Sequence, residues 1–216
     1  MLGFFGKKKA VEPSCTNVDL DKTLSDVELK KRSKILVIDD LDFAFTDLFR
    51  KEGFTIDQWS DVENIDNVLD GRFDIILLDL NGVGKAYSET EQGFYILKEI
   101  KEKNPSQLVI AYTNSSWNAG FFKFKDIADL LLDKQLSEFK DFRNSVLDLL
   151  RNKYRISSLL NEYRALVEKS GASVAGLDEA VSSGSESLIS YLKDKSMSGL
   201  SVAANIATVV AAVLGG

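Results

Sequence analysis

FDIILLDLNGVG, residues 73–84, sets six apolar side chains within Phe73–Leu80 beside a carboxylate, Asp79, at the end of the run, and then turns into glycines. An apolar run of this length without strict alternation reads as a strand covered on both faces, as in a parallel sheet flanked by helices. A charge is costly in such an interior but acceptable at the strand's carboxyl end, the edge at which ligands bind in open α/β sheets. A strand that merely stops at a turn-capping Asp has the same local sequence. The two readings separate on whether other carboxylates and a cation meet at the same edge.

Upstream, KILVIDD (34–40) is a second apolar run ending on acids, Asp39 and Asp40. Phe43–Lys51, with Phe45, Leu48 and Phe49 on one side, suits a helix stopped by Gly53. TIDQWS (55–60) reads as a strand and 61–69 as a short helix closed by Gly71. Downstream come a loop over 81–92, a helix over Phe94–Lys103, the strand QLVIAYT (107–113) and a short helix over Asn118–Asp126. ADLLLDK (128–134) is a fifth strand, and a last helix starts after Ser137. Five strands alternating with helices predict an α/β fold, a doubly wound five-stranded parallel sheet with right-handed crossovers. Residues 1–33 carry no sustained period and read as a flexible N-terminal arm with one helical turn near Ser25–Lys31.

With 216 residues the chain has room for one typical domain and an extension. A net charge of −6 gives no support to non-specific nucleic-acid binding, which needs Lys and Arg to neutralise phosphates. The absence of histidine excludes a Ser-His-Asp triad, a His-based metal site and a phospho-histidine relay on this chain. A single cysteine, Cys15, cannot form an internal disulfide, which suits a reducing compartment. MLGFFGKKKA, with its basic cluster after a very short apolar run, is the reverse of a secretory signal and reads as an untethered tail.

Lined up by strand, the first run ends at Asp39 and Asp40, the third at Asp79, the fourth at Thr113 and the fifth at Lys134. In a parallel sheet these ends share one edge. Three carboxylates there repel unless a hard divalent cation such as Mg²⁺ sits among them. A lysine and a hydroxyl opposite the cation complete a pocket suited to a dianionic phosphoryl group.

Over residues 34 to about 150 this pattern resembles the receiver domain of two-component response regulators, the flavodoxin-like fold of the chemotaxis regulators. The resemblance implies that Asp79 is the phospho-acceptor, that Asp40 binds Mg²⁺ directly and Asp39 directly or through water, and that the Asn81 carbonyl adds a ligand. It implies that Lys134 neutralises the phosphoryl group and that Thr113 moves to bond it. It also implies a sensor histidine kinase or other phosphodonor as partner, and a cytoplasmic location. Lys134, at a polar strand end, is expected to add little to the core.

Three positions and one loop depart from the family's pattern. Gln135 stands where a proline usually follows the lysine, Leu131 where the aromatic switch residue stands, and Asn114 where a small residue follows the threonine. The loop before Gly93 is longer than usual. The GxGK of NGVGKA is not a P-loop, because Asp79 and Ala86 stand where G-x-x-x-x-G-K-[ST] needs Gly and Ser or Thr.

From the last helix onward, Phe139, Phe142, Val146, Leu149, Ile156, Leu160, Tyr163 and Val167 step by threes and fours, with Lys153 interrupting. That seam predicts a helical arm over 151–195, a coiled-coil continuation of the fifth helix that pairs with a second copy as a homodimer, the alternative being a hairpin with 172–216 folded back on it. Gly171 ends it, and Val174–Leu188 mark a weaker second helix softened by SSGS (182–185). The tail, 196–216, is uncharged and rich in Ala and Val, at the lower limit for a span of about 20 apolar residues. It is expected to pack on the arm or a partner subunit, membrane contact being the alternative. The chain is therefore expected to be a non-enzymatic signalling switch without a DNA-binding output. The rival is a phosphate-independent scaffold whose tail is the effector.

Overall fold

The computed structural model describes residues 17–114, 126–197 and 201–215. They form β1 (Lys34–Ile38), β2 (Thr55–Trp59), β3 (Ile75–Asp79), β4 (Leu108–Thr113) and β5 (Leu130–Asp133). All pairings are parallel and the order is β2-β1-β3-β4-β5. This is the doubly wound flavodoxin-like order, whose switch point lies between β1 and β3. Every expected strand contains the observed one. β3 is buried at all five positions, as an unalternating apolar run requires, while edge strand β5 is half-buried throughout.

Among the described residues five helices belong with the sheet: α1 (Asp26–Arg32), α2 (Thr46–Lys51), α3 (Asp66–Leu69), α4 (Gly93–Lys103) and α5 (Phe139–Lys153). One face of the sheet, with Leu36, Ile38, Ile76 and Leu78, packs against Val68 of α3 and Ile96, Leu97 and Ile100 of α4. The other carries a group of rings, Phe43, Phe45, Phe49 and Tyr112 with Phe139 and Phe142 of α5, at centroid separations from 5.2 to 6.4 Å. The helix expected over 61–69 is confined to its last turn. The Asp61 carboxylate accepts the N–H groups of Val62 and Gly84, holding the start of that segment as a loop. The helix expected over Asn118–Asp126 lies outside the described residues except for its last position.

The described part of 1–33 is not a free arm. Ser25 and Glu28 cap α1 reciprocally, and Leu24 and Leu29 are buried. The described residues divide into two compact units, one within Leu24–Tyr154 and a second made of 17–23 with those from Arg155 onward.

The second unit holds α6 (Ile156–Lys169), α7 (Leu177–Ser182), α8 (Ser185–Met197) and α9 (Ser201–Gly215). Here the coiled-coil expectation is corrected. α5 ends at Lys153, the interrupting position, and Arg155 is extended (φ −70°, ψ 140°) before a new helix begins. The first N–H groups of α6 bond the carbonyls of Lys22 and Leu20 instead of continuing the preceding turn. The seam is thereby cut in two, with Phe142 and Val146 buried and Leu149 half-buried in the first unit, and Ile156, Leu160, Tyr163 and Val167 buried in the second. Among the described residues the stripe is not carried on one continuous helix. Gly184, at φ +105°, splits the expected second helix into α7 and α8. α9 lies against α8 and α6 and buries Ile206, Val209, Val210 and Val213. Among the described residues no helix is long and apolar enough to cross a membrane.

Candidate functional site

Parallel register brings the strand ends together. Ile38 of β1 pairs with Leu78 of β3, Asp79 with Tyr112, and Thr113 with Asp133. Asp39 and Asp40 therefore leave β1 beside Asp79, and Lys134 leaves β5 beside Thr113. Carboxylate oxygens of Asp39, Asp40 and Asp79 lie within 4.8 Å of one another. Lys134 Nζ reaches Asp39 Oδ2 at 2.9 Å and Asp79 Oδ2 at 2.7 Å. Asp79 Oδ1 accepts the Asn81 N–H at 3.0 Å, and the Asn81 carboxamide donates to Thr113 Oγ1. All the residues expected at the edge are there.

Asp39, Asp79 and Thr113 are buried, whereas Asp40 is exposed. Burial raises the Asp79 carboxyl above its ordinary range, and the charge of Asp39 adds to the effect, against the bonds from Lys134 and Asn81. For Lys134 burial acts downward, but the bonds to Asp39 and Asp79 outweigh it and the ammonium is held above its usual value. Lys134 adds nothing to the apolar core, yet it neutralises two buried carboxylates. The turn after it is closed by the N–H groups of Gln135 and Leu136 on Asp133 Oδ1, at 2.8 and 3.2 Å. A proline at 135 has no such N–H. Leu131 packs against the core on the α4 side of the sheet.

Two residues at the edge carry weak sequence signals. Tyr112 reads as one more apolar member of LVIAYT, yet its hydroxyl donates to Asp39 Oδ2 at 2.9 Å. Only the register shows its place, since Tyr112 stands opposite Asp79. Burial, then the charge of Asp39, pushes its phenol well above the ordinary tyrosine value, so it remains a donor. Gln92, at the far end of the long loop, accepts the Gly82 N–H on Oε1 at 2.8 Å. Close approach explains the glycine at 93: a methyl group there would overlap the Asp79 carbonyl and the Leu80 backbone.

No protein-family model matches the chain, and no curated protein matches it. Many solved receiver domains do. The chain is similar to a CheY-like receiver domain protein of Methanospirillum hungatei, with 19% identity over 56% of this chain and 95% of that one, at a TM-score of 0.45. It is similar to the receiver domain of a Francisella response regulator (20% identity, 56% of this chain, 99% of that one, TM-score 0.47). It is similar to the response regulator TrrA of Thermotoga maritima, solved with Mg²⁺ and a beryllium fluoride (24% identity, 54% and 98%, TM-score 0.42). With its strand order 2-1-3-4-5 and its acidic carboxyl edge, the unit Leu24–Tyr154 has the receiver fold of the CheY-like response regulators.

Proposed function

We propose that this chain is a phospho-accepting receiver protein that switches protein–protein contacts when Asp79 is phosphorylated. The observation that carries the reading is the meeting of Asp39, Asp40, Asp79, Thr113 and Lys134 at one sheet edge, with Lys134 bridging two of the carboxylates. A carboxylate oxygen of Asp79 attacks the phosphorus of a phosphodonor, a sensor histidine kinase or a small acyl phosphate. The new O–P bond replaces the donor's P–N or P–O bond, whose electron pair leaves with the departing group. Lys134 neutralises the phosphoryl oxygens, and Thr113 exchanges its bond from Asn81 for one to them.

Hard carboxylate oxygens this close together fit Mg²⁺. Asp40 and Asp79 would hold it with the Asn81 carbonyl, and Asp39, engaged by Tyr112 and Lys134, directly or through water. When bound, Mg²⁺ supplies charge neutralisation to the transferring group. The chain is a switch in this account, with no metabolic substrate and no nucleic acid among its partners; the output partner is a protein. The test is titration of the full chain with beryllofluoride and Mg²⁺. Stoichiometric binding that Asp79→Asn abolishes is expected, and no binding to the wild type overturns the reading.

A further inference from the structure

In the peptide joining Asn81 to Gly82, the N–H is held by a residue ten positions on. Gly82 donates its N–H to Gln92 Oε1 at 2.8 Å. Gln92 is in turn fixed by its own N–H on the Ser88 carbonyl (2.9 Å) and by Nε2 on the Glu89 carbonyl (3.3 Å). Among the described residues Gln92 is the one non-glycine with positive φ, at φ 51° and ψ −128°. Side chains avoid that conformation, and glycine adopts it freely. A glycine at 92 would relax the backbone but would leave the Gly82 N–H without its acceptor. The residue type at this strained position therefore points to the carboxamide.

In a trans peptide the N–H and the C=O point in opposite directions across one rigid plane. Holding the Gly82 N–H thus holds the Asn81 carbonyl, directed away from Gln92. The plane lies beside the acidic cluster, because Gly82 (φ 92°) sits so close to the Asp40 carboxyl that a methyl group on it would overlap that carboxyl. Glycine at 82 makes the plane easy to flip when nothing holds it.

We propose that Gln92 is a positioning residue that sets the direction of the Asn81 carbonyl, the backbone ligand for Mg²⁺. This rests on the phospho-receiver reading. Gln92 ties the end of the long loop to its beginning and so fixes a ligand it does not itself supply.

The test uses the full chain with Gln92→Gly and Gln92→Glu, the second keeping an acceptor. Three readouts are taken: amide exchange of Gly82, thermal unfolding without Mg²⁺, and Mg²⁺ affinity by calorimetry. Gln92→Gly should lose Gly82 protection and unfold at or above the wild-type temperature, because the strain is gone. Its Mg²⁺ Kd should rise about 10-fold, as for loss of an outer-shell partner. Gln92→Glu should keep both protection and affinity. Wild-type affinity in Gln92→Gly overturns the role of Gln92 alone. Affinity lost only in step with unfolding shows a structural role and also overturns it. A wild type that binds no Mg²⁺ overturns the phospho-receiver reading and this inference with it.

Discussion

Burial, helped by the charge of Asp39, raises the carboxyl of Asp79, while the bonds from Lys134 and Asn81 oppose it. For a group whose folded pKa is raised, stability is fullest below the ordinary value and is lost as pH rises through the folded one. At neutral pH without metal, ionised Asp79 therefore costs the fold, and the neutral isostere in Asp79→Asn should raise the unfolding midpoint by a few degrees, at about 2–4 °C per kcal/mol. A midpoint below wild type at pH 7 in chelator would contradict this. Lys134→Ala should act the other way. It strands two buried carboxylates and should cost about 3–5 kcal/mol, recovered in part when Mg²⁺ is added; denaturant titration with and without Mg²⁺ measures both. The strand-end acids, Thr113 and Lys134 were legible because each closes an apolar run, and the run fixes its place. Tyr112 and Gln92 were not, since a phenol inside an apolar strand and a glutamine in a loop acquire meaning only from a neighbouring strand or a distant backbone N–H.

Elements were legible to the extent that their signal was local. Strands β1, β3 and β4 follow from buried apolar runs that end on polar residues, β2 and β5 from shorter, less buried runs bounded by charges or glycine, and α4 from its single apolar stripe. The break between α5 and α6 has no glycine or proline to announce it. It is set by Tyr154 and Lys153, which bond Asp74 at 2.8 and 2.7 Å, and by the separate capping of α6 by residues 20–22. A periodic pattern ran across that break because both halves bury similar stripes. Among the turns, the most exacting contact is at the start of α4. Gly93→Ala forces a methyl group into the backbone of Asp79 and Leu80 and should destabilise by about 1–3 kcal/mol, as overpacking does. Urea unfolding reads the cost, and a wild-type midpoint would show that the α4 start yields without resistance.

At the scale of the whole molecule the receiver unit and the helical unit each have their own core. In the helical unit Tyr163 and Tyr191 place their rings 6.3 Å apart, and both hydroxyls are buried. Burial, with Tyr191 beside it, pushes Tyr163 up to about 12. That stability is complete below the ordinary tyrosine pKa of about 10 and is lost as pH climbs toward 12, at up to about 1.4 kcal/mol per pH unit. Helicity followed against tyrosinate absorbance should show this alkaline loss, and Tyr163→Phe should flatten it. The receiver unit was legible in the sequence because four of its strand ends form one joint pattern. The helical unit was not, since short helices joined by Gly171, Gly176 and Gly184 give no pattern that names a fold. The account as a whole stands on Asp79 as phospho-acceptor, and the most direct measurement is intact mass of the full chain incubated with acetyl phosphate. The account predicts a gain of one phosphoryl group that requires Mg²⁺ and is absent in Asp79→Asn; no gain in the wild type with Mg²⁺ present, or an equal gain in Asp79→Asn, would contradict it.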